Sequence, residues 1–244
     1  MKLFAPAASA LTIAVGLCAL PAASFAAAIF GSFNIDGTVT VTPSTISWTD
    51  NAGVSGKTTI ASSGLSGSFT GLGNTEVSIF SLTNPPDAVN STFTPTAFIN
   101  FASGLPNLLI DFINLGSYTA SNCAASPAVA GQTCTPPNPG GSPFGFTNLG
   151  TPGGTPTGSS GAFSFSGVTS DGLATWTGNF TSQFGTPFQT VLQGLASTGS
   201  VTNTYSGTIT LTAITTVPEP TTIVLMLGFL LVLCGTRRKV GLHR

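Results

Sequence analysis

Apolar and polar residues alternate along much of this chain. Phe33-Asn34-Ile35-Asp36-Gly37-Thr38-Val39-Thr40-Val41-Thr42 keeps that period, as does Phe163-Ser164-Phe165-Ser166-Gly167-Val168. Val201 to Leu211 repeats it, with Tyr205, Ile209 and Leu211 among the apolar positions. A period of two sends successive side chains to opposite faces, so each segment reads as a half-buried antiparallel strand. Shorter candidates are Ile46-Trp48, Lys57-Ile60, Val77-Phe80, Ala97-Phe101, Leu108-Phe112, Phe144-Leu149 and Ala174-Phe180. Gly and Pro clusters punctuate them at the spacing of a sandwich or jelly roll. One helix is expected between two long strands. Thr186 would cap it, Pro187 would take the first helical position, and Val191, Leu192 and Leu195 would share a side before Gly199 ends it. The fold class expected is all-β: an antiparallel β-sandwich or jelly-roll-like body with one short helix, flanked by an N-terminal signal helix and a C-terminal transmembrane helix.

The two ends lack the alternation. Lys2 is followed by the apolar run Leu11 to Leu20, and Ser24-Phe25-Ala26 places small residues at −3 and −1 of a cleavage site. That order reads as a secretory signal peptide, with the cut by signal peptidase expected between Ala26 and Ala27 and a cut after Ala28 as the alternative. At the other end stand Val217, Pro218, Glu219 and Pro220, then the 16 residues Thr221 to Thr236, then Arg237, Arg238 and Lys239. Proline cannot sit inside a helix, so the pair marks its outer edge. At about 1.5 Å per residue the apolar stretch reaches about 24 Å, a marginal span for a core of about 30 Å. The basic triplet acts as a stop-transfer signal and orients the body outside, the tail inside. The division expected is a signal peptide over 1–26, an extracytoplasmic domain over 27–216 and a sorting segment over 217–244.

Pro-Glu-Pro, a marginal apolar span and a basic cluster, in that order at the C-terminus, resemble the PEP-CTERM sorting signal. The resemblance covers Val217 to about Lys239 and implies nothing about the body's activity. It implies that an exosortase, a membrane transpeptidase, recognises Pro218-Glu219-Pro220 and removes the tail. The inner membrane is then a transient anchor, and the mature chain reaches the cell surface or the exopolysaccharide matrix.

Composition narrows what the body can do. Charged residues are 5% of the chain, against about 25% in ordinary soluble domains. Between Ala27 and Val217 six acids face one base, Lys57, with no Arg and no His. Nucleic-acid binding and phosphate clamping are thereby excluded, as are Ser-His-Asp and Cys-His catalysis. Of those 191 residues 59 are Ser or Thr, which suits contact with neutral, glycan-rich surroundings. The expectation is a non-enzymatic envelope or matrix protein without a cofactor or resident metal.

Several residues carry chemistry worth weighing. Cys123 and Cys134, exported to an oxidising compartment, predict a disulfide worth about 2–3 kcal/mol in the chain-entropy account. A glycosidase would need two carboxylates about 5–9.5 Å apart among Asp36, Asp50, Glu76, Asp87, Asp111 and Asp171. Several of these sit in turns, where Asp normally binds its own backbone. Calcium would need them clustered. Trp48 or Trp176 could stack on a sugar in a carbohydrate-binding module, but core packing is the favoured reading of both. Thr38-Thr40-Thr42 and Thr208-Thr210-Thr212 could form an ice-binding ladder, though threonine also suits any polar sheet face.

Overall fold

Strands form where the alternation is regular, and their alternate positions are buried and exposed in turn. A computed structural model describes residues 27–85 and 87–214. In chain order the strands are β1 (Gly31–Val41), β2 (Thr45–Thr49), β3 (Lys57–Ile60), β4 (Glu76–Ile79), β5 (Leu82–Thr83), β6 (Thr92–Asn100), β7 (Leu108–Ile113), β8 (Thr133–Cys134), β9 (Gly145–Leu149), β10 (Gly158–Thr169), β11 (Ala174–Phe184) and β12 (Val201–Ala213). A 3-10 turn covers Gly67–Phe69, and α1 (Phe188–Thr198) joins β11 to β12.

The strands form a closed barrel, and the expected sandwich or jelly roll is corrected accordingly. β1, β3, β4, β6, β7, β10, β11 and β12 each pair antiparallel with the next, and β12 returns to β1. The seam runs from Gly31 opposite Leu211 to Val41 opposite Val201. Alternation tells which face of a strand is buried; it does not tell which edges join, so it serves a sandwich and a barrel equally. β2 and β5 form a flap on the end of β1, and β9 with β8 forms another on the start of β10. Among the described residues no helix is long and apolar enough to cross a membrane. The expected signal helix and the expected span over 221–236 lie outside those residues.

The helix stands where the sequence placed it, with a different cap. Pro187, not Thr186, is the N-cap residue and offers no side-chain bond. The amide of Phe188 donates instead to Asn148 Oδ1 at 2.9 Å. Gly199 ends the helix at φ 77°, a left-handed conformation that glycine adopts without strain.

An eight-stranded ring is just wide enough for side chains to fill. Here aromatic rings fill it. Trp48 and Trp176 are fully buried with Phe98, Phe165 and Phe180, and Phe163 and Tyr205 are buried beside them. Trp176 stacks on Phe98 at 5.4 Å, and its Nε1 donates to Leu109 O at 2.8 Å. Inward-facing glycines make the room. A methyl on Gly207 would come within 2.7 Å of the Phe180 ring, and one on Gly178 within 2.8 Å. A methyl on Gly167 would collide with Leu109 O and lie 2.8 Å from the Trp176 Nε1.

The two poles differ. Where β1 begins, Phe33, Phe69 and Phe101 plug the barrel, Phe33 and Phe69 lying 4.6 Å apart. Residues 27–30 and Ile214 also lie at this pole, since Gly31 pairs with Leu211. The opposite pole holds the turn between β1 and β2, the helix α1 and the β8–β9 flap.

Gly167→Ala is expected to lower stability by about 1–3 kcal/mol, the usual cost of overpacking a tight core. A denaturant titration measures it. An unchanged midpoint would show that Trp176 is not held against β7 as described.

Candidate functional site

The barrel interior is not filled to the rim at the helix pole. A cleft of about 300 Å³ opens there. Val39, Ile46 and Phe163 reach it from the core, and Val191, Leu192 and Leu195 line it from α1. The turn at Thr42-Pro43-Ser44, the segment around Pro136-Pro137-Asn138 and Phe144 complete the walls. Strand ends and loops converge on this rim because β1, β7 and β11 finish there while β10 and β12 begin.

Most polar groups on the rim are already used by the wall. The Asp87 carboxylate accepts the Thr83 amide at 2.8 Å. Ser182 Oγ donates to Thr204 O at 2.6 Å, and Asn203 Nδ2 to Gln183 O at 2.6 Å. Asn138 Nδ2 donates to Gly141 O at 3.3 Å. Among the described residues no Lys, Arg or His lines the cleft.

The helix wall is held by a buried amide network and by the disulfide lobe. Asn148 is 2% exposed; its Nδ2 donates to Gln189 Oε1 at 3.0 Å, and Gln189 Nε2 donates to Gln132 Oε1 at 2.8 Å. Cys123 and Cys134 are joined by a disulfide, their Cα atoms 5.1 Å apart. Cys134 packs with Phe146, Phe188 and Val191 in a second small core beneath α1.

The carboxylates are dispersed into local structure. Asp50 accepts the amides of Ala52 and Val54 at 2.9 and 2.7 Å and closes its own turn. Asp171 accepts the Leu173 amide and the Thr169 hydroxyl after β10. Asp36 accepts Asn51 Nδ2 at 3.0 Å, and Glu76 pairs with Lys57 at 3.0 Å on the surface. Asp111 lies on the outer side of β7, where partial burial raises its pKa and a bond to its own backbone opposes the rise. Among the described residues no three of His, Cys, Asp and Glu come together as metal ligands would.

Both tryptophans are core residues, at 0% and 1% exposure, so neither offers a face to a sugar. The threonine triplets do not face each other. Thr208 and Thr210 lie opposite Asn34 and Ser32, while Thr38 and Thr40 lie opposite Thr204 and Thr202. They belong instead to a broad polar outer wall. One row across β10, β11, β12 and β1 reads Ser164, Asn179, Thr208, Asn34, and the next reads Ser166, Thr177, Thr210, Ser32. Neighbours bond sideways, Thr208 Oγ1 to Asn34 Oδ1 and Thr40 to Thr202, both at 2.8 Å. Ala27 is an exposed residue at the start of the described chain. Ala26, Val217, Pro218, Glu219, Pro220, Arg237, Arg238 and Lys239 lie outside the described residues.

Tyr205 is the buried titratable group with the clearest consequence. Burial pushes its hydroxyl far above the ordinary phenol range and Asp36 adds to the rise, while the hydroxyl donates to Thr58 Oγ1 at 2.7 Å. A raised folded pKa contributes stability that is complete below the unfolded value, about 10, and is lost as pH rises past it. The melting temperature is therefore expected to fall above about pH 10, and to fall less in Tyr205→Phe. Equal falls in both proteins would contradict the assignment to Tyr205.

Comparison of the chain with protein-family models, with curated proteins and with solved structures gives no match.

Proposed function

We propose that the chain is an exported, non-enzymatic envelope or extracellular-matrix protein. Signal peptidase releases residues 1–26, the C-terminal segment holds the chain transiently in the inner membrane, and an exosortase cuts near Pro218-Glu219-Pro220. The observation that carries the reading is the order of parts at the C-terminus: Pro-Glu-Pro, the apolar run Thr221 to Thr236, then Arg237-Arg238-Lys239.

The body supports this reading in three ways. Asp50, Asp87 and Asp171 serve turns and Glu76 a surface ion pair rather than a shared site. Its outer wall on β10, β11, β12 and β1 is built of hydroxyls and amides, groups that exchange hydrogen bonds with neutral exopolysaccharide as readily as with water. Its last described residue leaves from the plugged pole, so a chain anchored by its tail would present the open cleft away from the membrane.

Glu219→Ala expressed in the native host tests the reading. The wild-type product is expected outside the inner membrane and short of its tail by mass; the variant is expected to stay membrane-bound at full tail length. A wild-type product found in the cytosol, or outside the cell with residues 221–239 still attached, would overturn it.

A further inference from the structure

We propose that the cleft at the barrel mouth binds one small, uncharged, predominantly apolar molecule, of about the bulk of two or three fused or linked rings. The volume of about 300 Å³ falls at the lower end of small-molecule sites, and barrel mouths are among the places where such sites form.

The packing of the barrel singles this pole out. Elsewhere the interior is filled by rings, and the far pole is closed by Phe33, Phe69 and Phe101. At the mouth Val39, Ile46, Phe163 and the apolar side of α1 border empty space instead. The walls are pre-formed, because the Asn148–Gln189–Gln132 network and the Cys123–Cys134 disulfide fix α1 and its lobe. A pre-formed wall spares a ligand the cost of ordering it.

The lining also sets the charge of the occupant. With no Lys, Arg or His among the described residues of the cleft, an anion would lose its water and gain no cationic partner there. Among the described lining residues Asp87 is the one that is charged, and its carboxylate already accepts the Thr83 amide. A cation therefore finds one engaged carboxylate and an otherwise apolar wall. A neutral molecule avoids both desolvation costs, and the hydroxyl of the exposed Ser44 at the rim accommodates a polar end facing solvent. The chain's own apolar run is the weaker occupant, because β12 crosses the barrel from mouth to plugged pole before that segment begins.

The test uses the purified full chain in zwitterionic lipid nanodiscs and a matched dye pair. N-phenyl-1-naphthylamine is uncharged; 1-anilinonaphthalene-8-sulfonate has the same rings with a sulfonate. The neutral dye is expected to show a saturable component, one per protein, above its linear uptake by empty nanodiscs. The sulfonate is expected to bind at least about ten-fold more weakly. Ala196→Trp, at an exposed helix position on the cleft, is expected to abolish the saturable component. Leu195→Lys is expected to shift preference toward the sulfonate, a change that mere loosening of the fold would not produce. Absence of a saturable component, equal affinity for the two dyes, or full binding by a folded Ala196→Trp protein would overturn the proposal. The assay is blind to export and tail cleavage, so it stands or fails apart from the proposed function.

Discussion

The volume inside an eight-stranded ring is fixed by strand number, and this chain fills it with indoles and phenyl rings. That is possible only because glycine occupies the facing inward positions. Gly167, Gly178 and Gly207 sit where any Cβ would strike Trp176 or Phe180. Large and small residues alternate along β11 as Ala174, Trp176, Gly178, Phe180 and Ser182, all buried. The register follows from the same fit. β10 shifts against β7 between Ser166 and Gly167, where the Trp176 indole reaches across to Leu109 O. A filled interior also explains how a body with so few charges holds together: its polar groups pair with each other, its rings with rings, and the surface ion pair of Lys57 with Glu76 contributes little.

Filling stops short of one pole, and this divides the molecule. The plugged pole carries the first and last described residues; the open pole carries α1, the disulfide lobe and an apolar cleft. Between the poles runs a wall of Ser, Thr and Asn side chains that bond to one another sideways. Exterior and mouth therefore suit different chemistry. The wall is matched to water and neutral glycans, the cleft to an uncharged apolar guest. Among the described residues neither surface presents the basic groups that an anionic partner would require.

Much of this was legible in the sequence. The four longest strands, β1, β10, β11 and β12, carried a period of two, because one side of each faces the core. The helix announced itself through Pro187 and Gly199. Ring closure was not legible, since β1 and β12 meet across 160 to 180 residues and pairing partners leave no mark in either strand's alternation. β5 and β8, of two residues each, are too short to show a period. The first half of β6, Thr92 to Thr96, is mostly exposed and slips in register, so it carried no signal. The cap of α1 was misplaced because the bond that replaces it comes from Asn148, forty positions away. The cleft was invisible for a related reason: it is assembled from strand ends, a turn and a helix side between residues 39 and 203.

Closure of the ring is the claim from which the filled core, the two poles and the cleft all follow. Amide hydrogen exchange along β1 and β12, resolved by residue in solution, tests it most directly. A closed barrel leaves neither strand with a free edge, so the amides bonded across the seam between Phe33 and Val39 should exchange as slowly as those between β10 and β11. Rapid exchange along the whole facing edge of either strand, with β10 and β11 still protected, would mean an open sheet and would contradict the barrel.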